Sequence, residues 1–200
     1  MEKIDIKSLQ LEQLKEYISS LGAKAFVAGQ IYTWLHEKCV DSFDEMTNLS
    51  KDLREKLKSN YTLNSLDAVA VQTSKIDGTQ KYLFRLHDGH VVESVLMRYH
   101  HGNSVCISSQ VGCRMGCKFC ASTIGGKVRD LAASEMLGQI YKIQKISEER
   151  VHNVVVMGTG EPLDNYENLV QFVKMLTDEN GLNISQRNLT VSTCGIVPKI

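Results

Sequence analysis

The sequence predicts an α/β protein: parallel strand–helix units, preceded by a small helical domain and a run of antiparallel strands. Three observations carry this. Up to about residue 60, apolar residues recur at three- and four-residue steps, the period of helices with one buried face. Over about 61–100, short alternating runs are separated by Asp-Gly pairs, the mark of hairpins. Over about 101–200, the pattern becomes strand, loop, helix, repeated, which calls for parallel pairing.

In the first segment, Ser8 is placed to cap a helix carrying Leu11, Leu14, Ile18 and Leu21, with Gly22 at its stop. A second helix carries Phe26, Ile31, Trp34 and Leu35. A third, opened by Ser50, carries Leu53 and Leu57. With nine basic and ten acidic residues, this segment reads as a packing module or an RNA-docking domain. Next come predicted strands at Val69–Val71, Tyr82–Phe84 and Val91–Met97, with Asp77-Gly78 and Asp88-Gly89 between them. Ser104–Ser109 is the first strand of the α/β region, and a helix follows over Ala132–Lys145. Val154–Met157 is a continuous apolar run, as expected of a strand buried on both faces. A helix carrying Leu169, Phe172, Val173 and Leu176 follows, then a strand at Leu189–Val191. Pro198 suits the opening of a further helix, so the 200 residues read as the front part of a longer protein.

Composition limits the alternatives. A 42% hydrophobic content supports a real core, and 23 basic against 23 acidic residues leave no net charge from which to argue nucleic-acid binding. No apolar run reaches the roughly 20 residues of a membrane span, and the N-terminus lacks the regions of a signal peptide. Six cysteines, four of them within Cys106–Cys120, do not make the staple pattern of a secreted mini-protein. A reducing cytoplasm is the expected setting.

Cys113, Cys117 and Cys120 form a C-x3-C-x2-C motif. A closed zinc site needs four ligands, so three thiolates leave it one short unless His100, His101 or Cys106 completes it. A four-iron cluster normally takes four cysteines. Held by three, it keeps one iron open, which beside a sulfonium cofactor is equipment for radical chemistry. The iron–sulfur reading fits this spacing better than the paired C-x2-C of zinc ribbons. Arg114, Lys118, Lys127 and Arg129 surround the loop, either screening cluster charge, meeting phosphate, or merely solvated.

Two further loops fall at predicted strand ends, where parallel α/β sheets gather ligands. In Gly158-Thr159-Gly160-Glu161-Pro162, the glycines would admit a ligand to the backbone, and Glu161 would accept from an ammonium group or be merely solvated. In Ser192-Thr193-Cys194-Gly195, Ser192 is a turn hydroxyl or a cofactor contact, and Cys194 is expected to be a buried thiol. From spacing alone Cys106 reads as a structural thiol. Glu93, inside an apolar run, either faces solvent or is a buried general base.

Taken together, V-V-E-S-V from Val91, V-C-I-S-S-Q-V-G-C-R-M-G-C-K-F-C from Val105, G-T-G-E-P from Gly158 and V-S-T-C-G from Val191 resemble the radical-SAM RNA adenine-C2 methyltransferases, the RlmN type. The resemblance covers essentially the whole chain. It implies the first three βα units of a radical-SAM (β/α) barrel over 101–200, behind a β-rich segment at 61–100 and an RNA-associated domain at 1–60. It implies that Cys113, Cys117 and Cys120 hold a [4Fe-4S] cluster whose open iron is chelated by S-adenosylmethionine. Gly160 and Glu161 would bind the methionine part of that cofactor, and Ser192 would also touch it. Glu93 matches the position of a proton acceptor. Cys106 matches a thiol that resolves a covalent RNA intermediate through a transient disulfide, which displaces the structural reading of that residue.

The implied reaction methylates C2 of an adenine in the peptidyl-transferase centre of 23S rRNA and of an adenine beside the anticodon of certain tRNAs. The methyl passes through a protein cysteine, and the electron comes from a donor such as flavodoxin or ferredoxin. The family's methyl-carrying cysteine lies near its C-terminus, and no cysteine up to Ile200 matches it. These 200 residues alone are therefore expected to cleave the cofactor at most. Two other readings remain: the related C8-adenine enzyme of antibiotic resistance, against which Gln110-Val111-Gly112 argues, and a non-catalytic metal-binding or RNA-docking fragment.

Overall fold

A computed structural model describes residues 3–200. They divide into two compact units: one runs to Ser65 and includes Lys174–Asn183, and the other holds Leu66–Val173 and Ile184–Ile200.

The first unit is helical. Helices α1 (Leu11–Ser20), α2 (Phe26–His36) and α3 (Lys51–Asn60) follow one another, and Leu14, Ile18, Ile31, Leu35 and Leu57 are fully buried. Each such side chain contributes roughly 1.5–3 kcal/mol on removal from water. Ser50 caps α3 by accepting from the Leu53 N–H, as its position predicts. Gly22 takes a left-handed φ of 73° just past α1, also as expected. Ser8 is not the cap of α1. Its N–H donates to the Asp5 carbonyl within a short 3-10 turn, Ile6–Ser8, formed as Ile6 enters the core. The helix opens instead behind Gln10, whose N–H donates to Gln13 Oε1.

The second unit is built on one six-stranded sheet. Strands β1 (Asp67–Thr73), β2 (Gln80–Arg85), β3 (Val91–Tyr99) and β4 (Gly102–Ile107) pair antiparallel in chain order. Both Asp-Gly pairs turn where the sequence places them, with Gly78 and Gly89 at positive φ. Strand β7 (Asn153–Val156) then pairs parallel to β4, and β8 (Leu189–Val191) parallel to β7. A second sheet of two short strands, β5 (Gln110–Gly112) and β6 (Lys127–Asp130), brackets the cysteine loop.

Helix α4 (Ala133–Ser147) follows β6, and α5 (Tyr166–Leu176) follows β7. One face of the large sheet is buried: Tyr82, Phe84, Val92, Ser94, Leu96, Val105, Ile107, Val154 and Val156 all lie on it. Helix α4 covers this face, since its buried Gln139 accepts from the Ser94 hydroxyl. On the other face Lys81, Glu93, Val95, Cys106 and Val155 are half-buried or exposed. The run Val154–Met157 is therefore buried on one face only. Val155 belongs to the open face, and Met157 is 63% exposed beyond the strand end.

Candidate functional site

The chain leaves β4 because side chains take over its backbone bonding. Ser108 N–H donates to Gln139 Oε1 at 2.8 Å, and its carbonyl accepts from Gln139 Nε2 at 3.0 Å. The Ser109 carbonyl accepts from Asn165 Nδ2 at 2.8 Å, and the Ser109 and Gln110 N–H groups both donate to the Thr159 carbonyl. All of this is buried, where an unmade hydrogen bond costs about 1–3 kcal/mol. Two buried amide side chains, Gln139 and Asn165, together with the Thr159 carbonyl, thus set where the cysteine loop begins.

That loop is closed at its base. Cys113 N–H donates to the Gly126 carbonyl at 3.1 Å, and a Cβ on Gly112 would stand 1.9 Å from the same oxygen. Farther out, Cys120 N–H donates to the Cys117 carbonyl, and the Thr123 hydroxyl donates to the Cys120 carbonyl. Cys113 is buried and Cys117 and Cys120 are half-buried; all three are free thiols. Among the described residues, no three His, Cys, Asp or Glu side chains converge as one metal ion requires. His100 and His101 sit in the β3–β4 turn, at the opposite end of β4 from the cysteines, and Cys106 lies on the sheet. The structure does not bring a fourth zinc ligand from them. A donor set of thiolates alone, carried on one loop, has the ligand chemistry of an iron–sulfur cluster.

The second loop packs against the first. A Cβ on Gly158 would lie 2.7 Å from Ser108 Oγ and 2.8 Å from the Ile107 carbonyl. One on Gly160, at φ 109°, would lie 2.6 Å from Gln110 Cβ. Both glycines are thus required by contact within the protein, before any ligand is considered. Glu161 is 4% exposed and accepts from Leu163 N–H (2.9 Å), the Thr193 hydroxyl (2.5 Å) and Cys194 N–H (2.8 Å). Burial pushes its pKa up, but the Cys194, Thr193 and Leu163 hydrogen bonds outweigh it and hold the carboxyl below its usual range. Glu161 is therefore a fixed negative charge that stitches the β7 loop to the β8 loop.

In the third loop Ser192 N–H donates to the Val156 carbonyl at 3.1 Å, and the residue is exposed at the strand end. Cys194 is exposed, not buried, because β8 ends at Val191 and the chain leaves the sheet. Its thiol pKa is raised, chiefly by the Glu161 carboxylate beside it and then by burial. The three loops thus meet at one end of the parallel strands, as predicted.

Glu93 and Cys106 lie elsewhere, on the open sheet face. Glu93 is exposed and pairs with Lys81 at 3.2 Å, so of its two readings the solvent-facing one describes its position. Cys106 stands opposite Val95, two residues along β3 from Glu93. Burial pushes its thiol up, and a hydrogen bond from the Met157 backbone pulls against that.

Most of the basic residues near the loop are paired. Arg114 bonds Asp164, Lys127 bonds Asp130 and Asp164, and Arg129 bonds Asp88 and Glu135; Lys118 is exposed. The Asp164 side chain is 6% exposed. Burial would raise its pKa, but Lys127, Gln110 and Arg114 lower it to about 2 from 3.8. A carboxyl depressed on folding contributes stability that is present above its unfolded pKa and is lost as pH falls through the folded one. Asp164→Asn is therefore expected to destabilise the protein by about 2 kcal/mol at pH 7, shrinking to about half of that near pH 3. Urea midpoints of both proteins across that range check this; a difference independent of pH would contradict it. Gln110, Gln139, Asp164, Asn165 and Thr193 were not legible as site residues, although Gln110 and Thr193 lay inside motifs already singled out, V-C-I-S-S-Q-V-G-C and V-S-T-C-G.

Comparison with known proteins agrees with this geometry. Residues 4–63 match the family described as the ribosomal RNA large subunit methyltransferase N-terminal domain, and residues 107–200 match the radical SAM superfamily. A "Probable dual-specificity RNA methyltransferase RlmN" of Lachnospira eligens is 69% identical over 196 residues, covering 98% of this chain and 56% of that protein. One of Bacillus subtilis is 52% identical over 202 residues, covering 100% and 55%. A solved radical SAM methyltransferase from Sphaerobacter thermophilus superimposes with a TM-score of 0.89 at 38% identity, over 98% of this chain and 58% of that one. The chain spans little more than half the length of the curated relatives it matches.

Proposed function

Because the chain belongs to the RlmN family of the radical SAM superfamily, we propose that its protein methylates C2 of adenine in 23S rRNA and in tRNA beside the anticodon. In this reading residues 1–60 form the RNA-associated domain, 61–100 the β-rich connection and 101–200 the first half of the radical SAM core. The observation that carries it is the meeting of three loops at one end of β4, β7 and β8, tied together by the Glu161 hydrogen bonds to Thr193 and Cys194.

Cys113, Cys117 and Cys120 would hold a [4Fe-4S] cluster, which when bound supplies an electron for reductive cleavage of S-adenosylmethionine. Gly160, Glu161 and Ser192 would receive that cofactor. The lowered pKa of Glu161 keeps it anionic at neutral pH, which suits a cationic amino group nearby. Glu93, exposed on the open sheet face, would accept the proton that leaves adenine C2. Cys106 would release the RNA by pairing with the methyl-carrying cysteine in a transient disulfide. Its raised pKa keeps the resting thiol protonated, so deprotonation would accompany its use. A small one-electron carrier such as flavodoxin or ferredoxin would reduce the cluster, in the cytoplasm. No helix among the described residues is long and apolar enough to cross a membrane.

The test is mass analysis of nucleosides from 23S rRNA and tRNA of cells lacking the gene, with and without the full-length gene restored. Restoration of 2-methyladenosine in both RNAs is expected. Appearance of 8-methyladenosine alone would replace this reading with the C8 reaction, and no methylated adenosine would remove it.

A further inference from the structure

Gln110 is fully buried at the start of β5, three residues before the first cluster cysteine. Both ends of its amide are used. Oε1 accepts from the Glu161 backbone N–H at 2.8 Å, while Nε2 donates to Asp130 Oδ1 at 2.7 Å and Asp164 Oδ2 at 3.0 Å. Its aliphatic part fills the space that a side chain on Gly160 would need. Its own N–H holds the Thr159 carbonyl at 3.1 Å. Beside the Ser109 and Ser108 bonds to Thr159, this one residue thus ties the Gly160–Glu161 backbone to the cysteine strand by a side-chain hydrogen bond and by packing.

Only a neutral amide meets these demands. The end facing Glu161 must accept, and the end facing two carboxylates must donate. The carboxylates are themselves immobilised, Asp164 by Lys127 and Arg114 and Asp130 by Lys127. The anchor is thus stiff on one side, and the loop hangs from it on the other.

We propose that Gln110 is the positioning residue that fixes the Gly160–Glu161 backbone relative to the cysteine loop, and so sets the affinity of the cluster-bearing protein for S-adenosylmethionine. This rests on the reading above, that Gly160 and Glu161 receive the cofactor. Gln110 itself touches none of the three cluster cysteines. It acts through the loop. A glutamate here keeps the acceptor for Glu161 but loses the donor and adds a third carboxylate; a methionine of similar length loses both.

The test uses the full-length protein, reconstituted anaerobically, as wild type, Gln110→Glu and Gln110→Met. Iron and sulfide per chain, the dissociation constant for S-adenosylmethionine, the change that this cofactor makes in the spectrum of the reduced cluster, and hydrogen exchange at the Glu161 amide are measured. Both variants are expected to keep wild-type iron and sulfide. Cofactor affinity should fall about 10- to 100-fold, the range seen when a group orienting a ligand site is removed. Exchange at Glu161 should accelerate strongly in Gln110→Met and less in Gln110→Glu, which retains the acceptor. Should Gln110→Met not fold, Gln110→Glu carries the affinity test alone. Wild-type affinity together with an unchanged spectral response in Gln110→Glu would overturn the proposal. A wild-type protein that takes up no iron and binds no S-adenosylmethionine would instead overturn the reading beneath it. Exchange at Glu161 would then decide by itself whether Gln110 holds the loop.

Discussion

Single replacement of Cys113, Cys117 or Cys120 by alanine is expected to reduce iron and sulfide uptake on anaerobic reconstitution to background, and with it every cluster-dependent signal. The reason lies in the donor count. In the proposed cluster three thiolates would already leave one iron without a protein ligand, and a fourth thiol must not be available to replace a lost one. Cys194 is the candidate substitute, since Glu161 ties its loop to the loop that follows β7 at the same end of the sheet. It is poorly suited. The Glu161 carboxylate, which accepts from the Cys194 N–H, raises the pKa of the adjoining thiol, whereas a metal ligand must be deprotonated. Cys194→Ala and Cys39→Ala, the latter in the helical unit, are accordingly expected to keep full iron and sulfide. Circular dichroism of the cluster-free proteins separates loss of ligand from loss of fold. Full cluster content in any one of the three loop variants would sink the assignment of that cysteine.

The elements that could be read from the chain are those whose signal is local. Asp77-Gly78 and Asp88-Gly89 turn the hairpins because glycine tolerates positive φ, a property of two adjacent residues. Leu189–Val191 and α4 follow from short-range periodicity in the same way. The cysteine motif could be singled out because its signal is the spacing of three nearby residues. What escaped depends on distant partners. Nothing local in Gln110–Gly112 or Lys127–Asp130 announces a two-stranded sheet fourteen residues apart around a cysteine loop. Val155 reads as core from its neighbours, but alternation places it on the open face. Glu161 looks solvated until Thr193 and Cys194, thirty-two and thirty-three residues on, supply its donors. The glycines were assigned to a ligand's approach, and their first constraint turned out to be the Ser108 and Gln110 side chains.

Gly160→Ala tests that last constraint most directly, because two separate penalties can be told apart. A φ of 109° is strained for any L side chain, at roughly 1–3 kcal/mol. The added Cβ would also stand 2.6, 2.8 and 2.9 Å from Gln110 Cβ, Cγ and backbone N. Gln110 has nowhere to go: its backbone N–H is held by Thr159, and its buried amide makes three hydrogen bonds. Relief requires either expelling that amide or moving the loop, which would pull Glu161 from Thr193 and Cys194. Overpacking of this kind adds about 1–3 kcal/mol. Gly195→Ala is the internal control, since its φ of 90° imposes the strain while nothing lies within 4 Å of the added carbon. Urea unfolding should therefore show Gly160→Ala losing about 2–6 kcal/mol, clearly more than Gly195→Ala. Against a total stability of about 5–15 kcal/mol, the folded state can survive, but with the cofactor loop displaced. S-adenosylmethionine binding should then be lost from a protein that still takes up iron and sulfide at Cys113, Cys117 and Cys120. Equal destabilisation of the two variants would mean that strain alone, and not the collision with Gln110, makes position 160 a glycine.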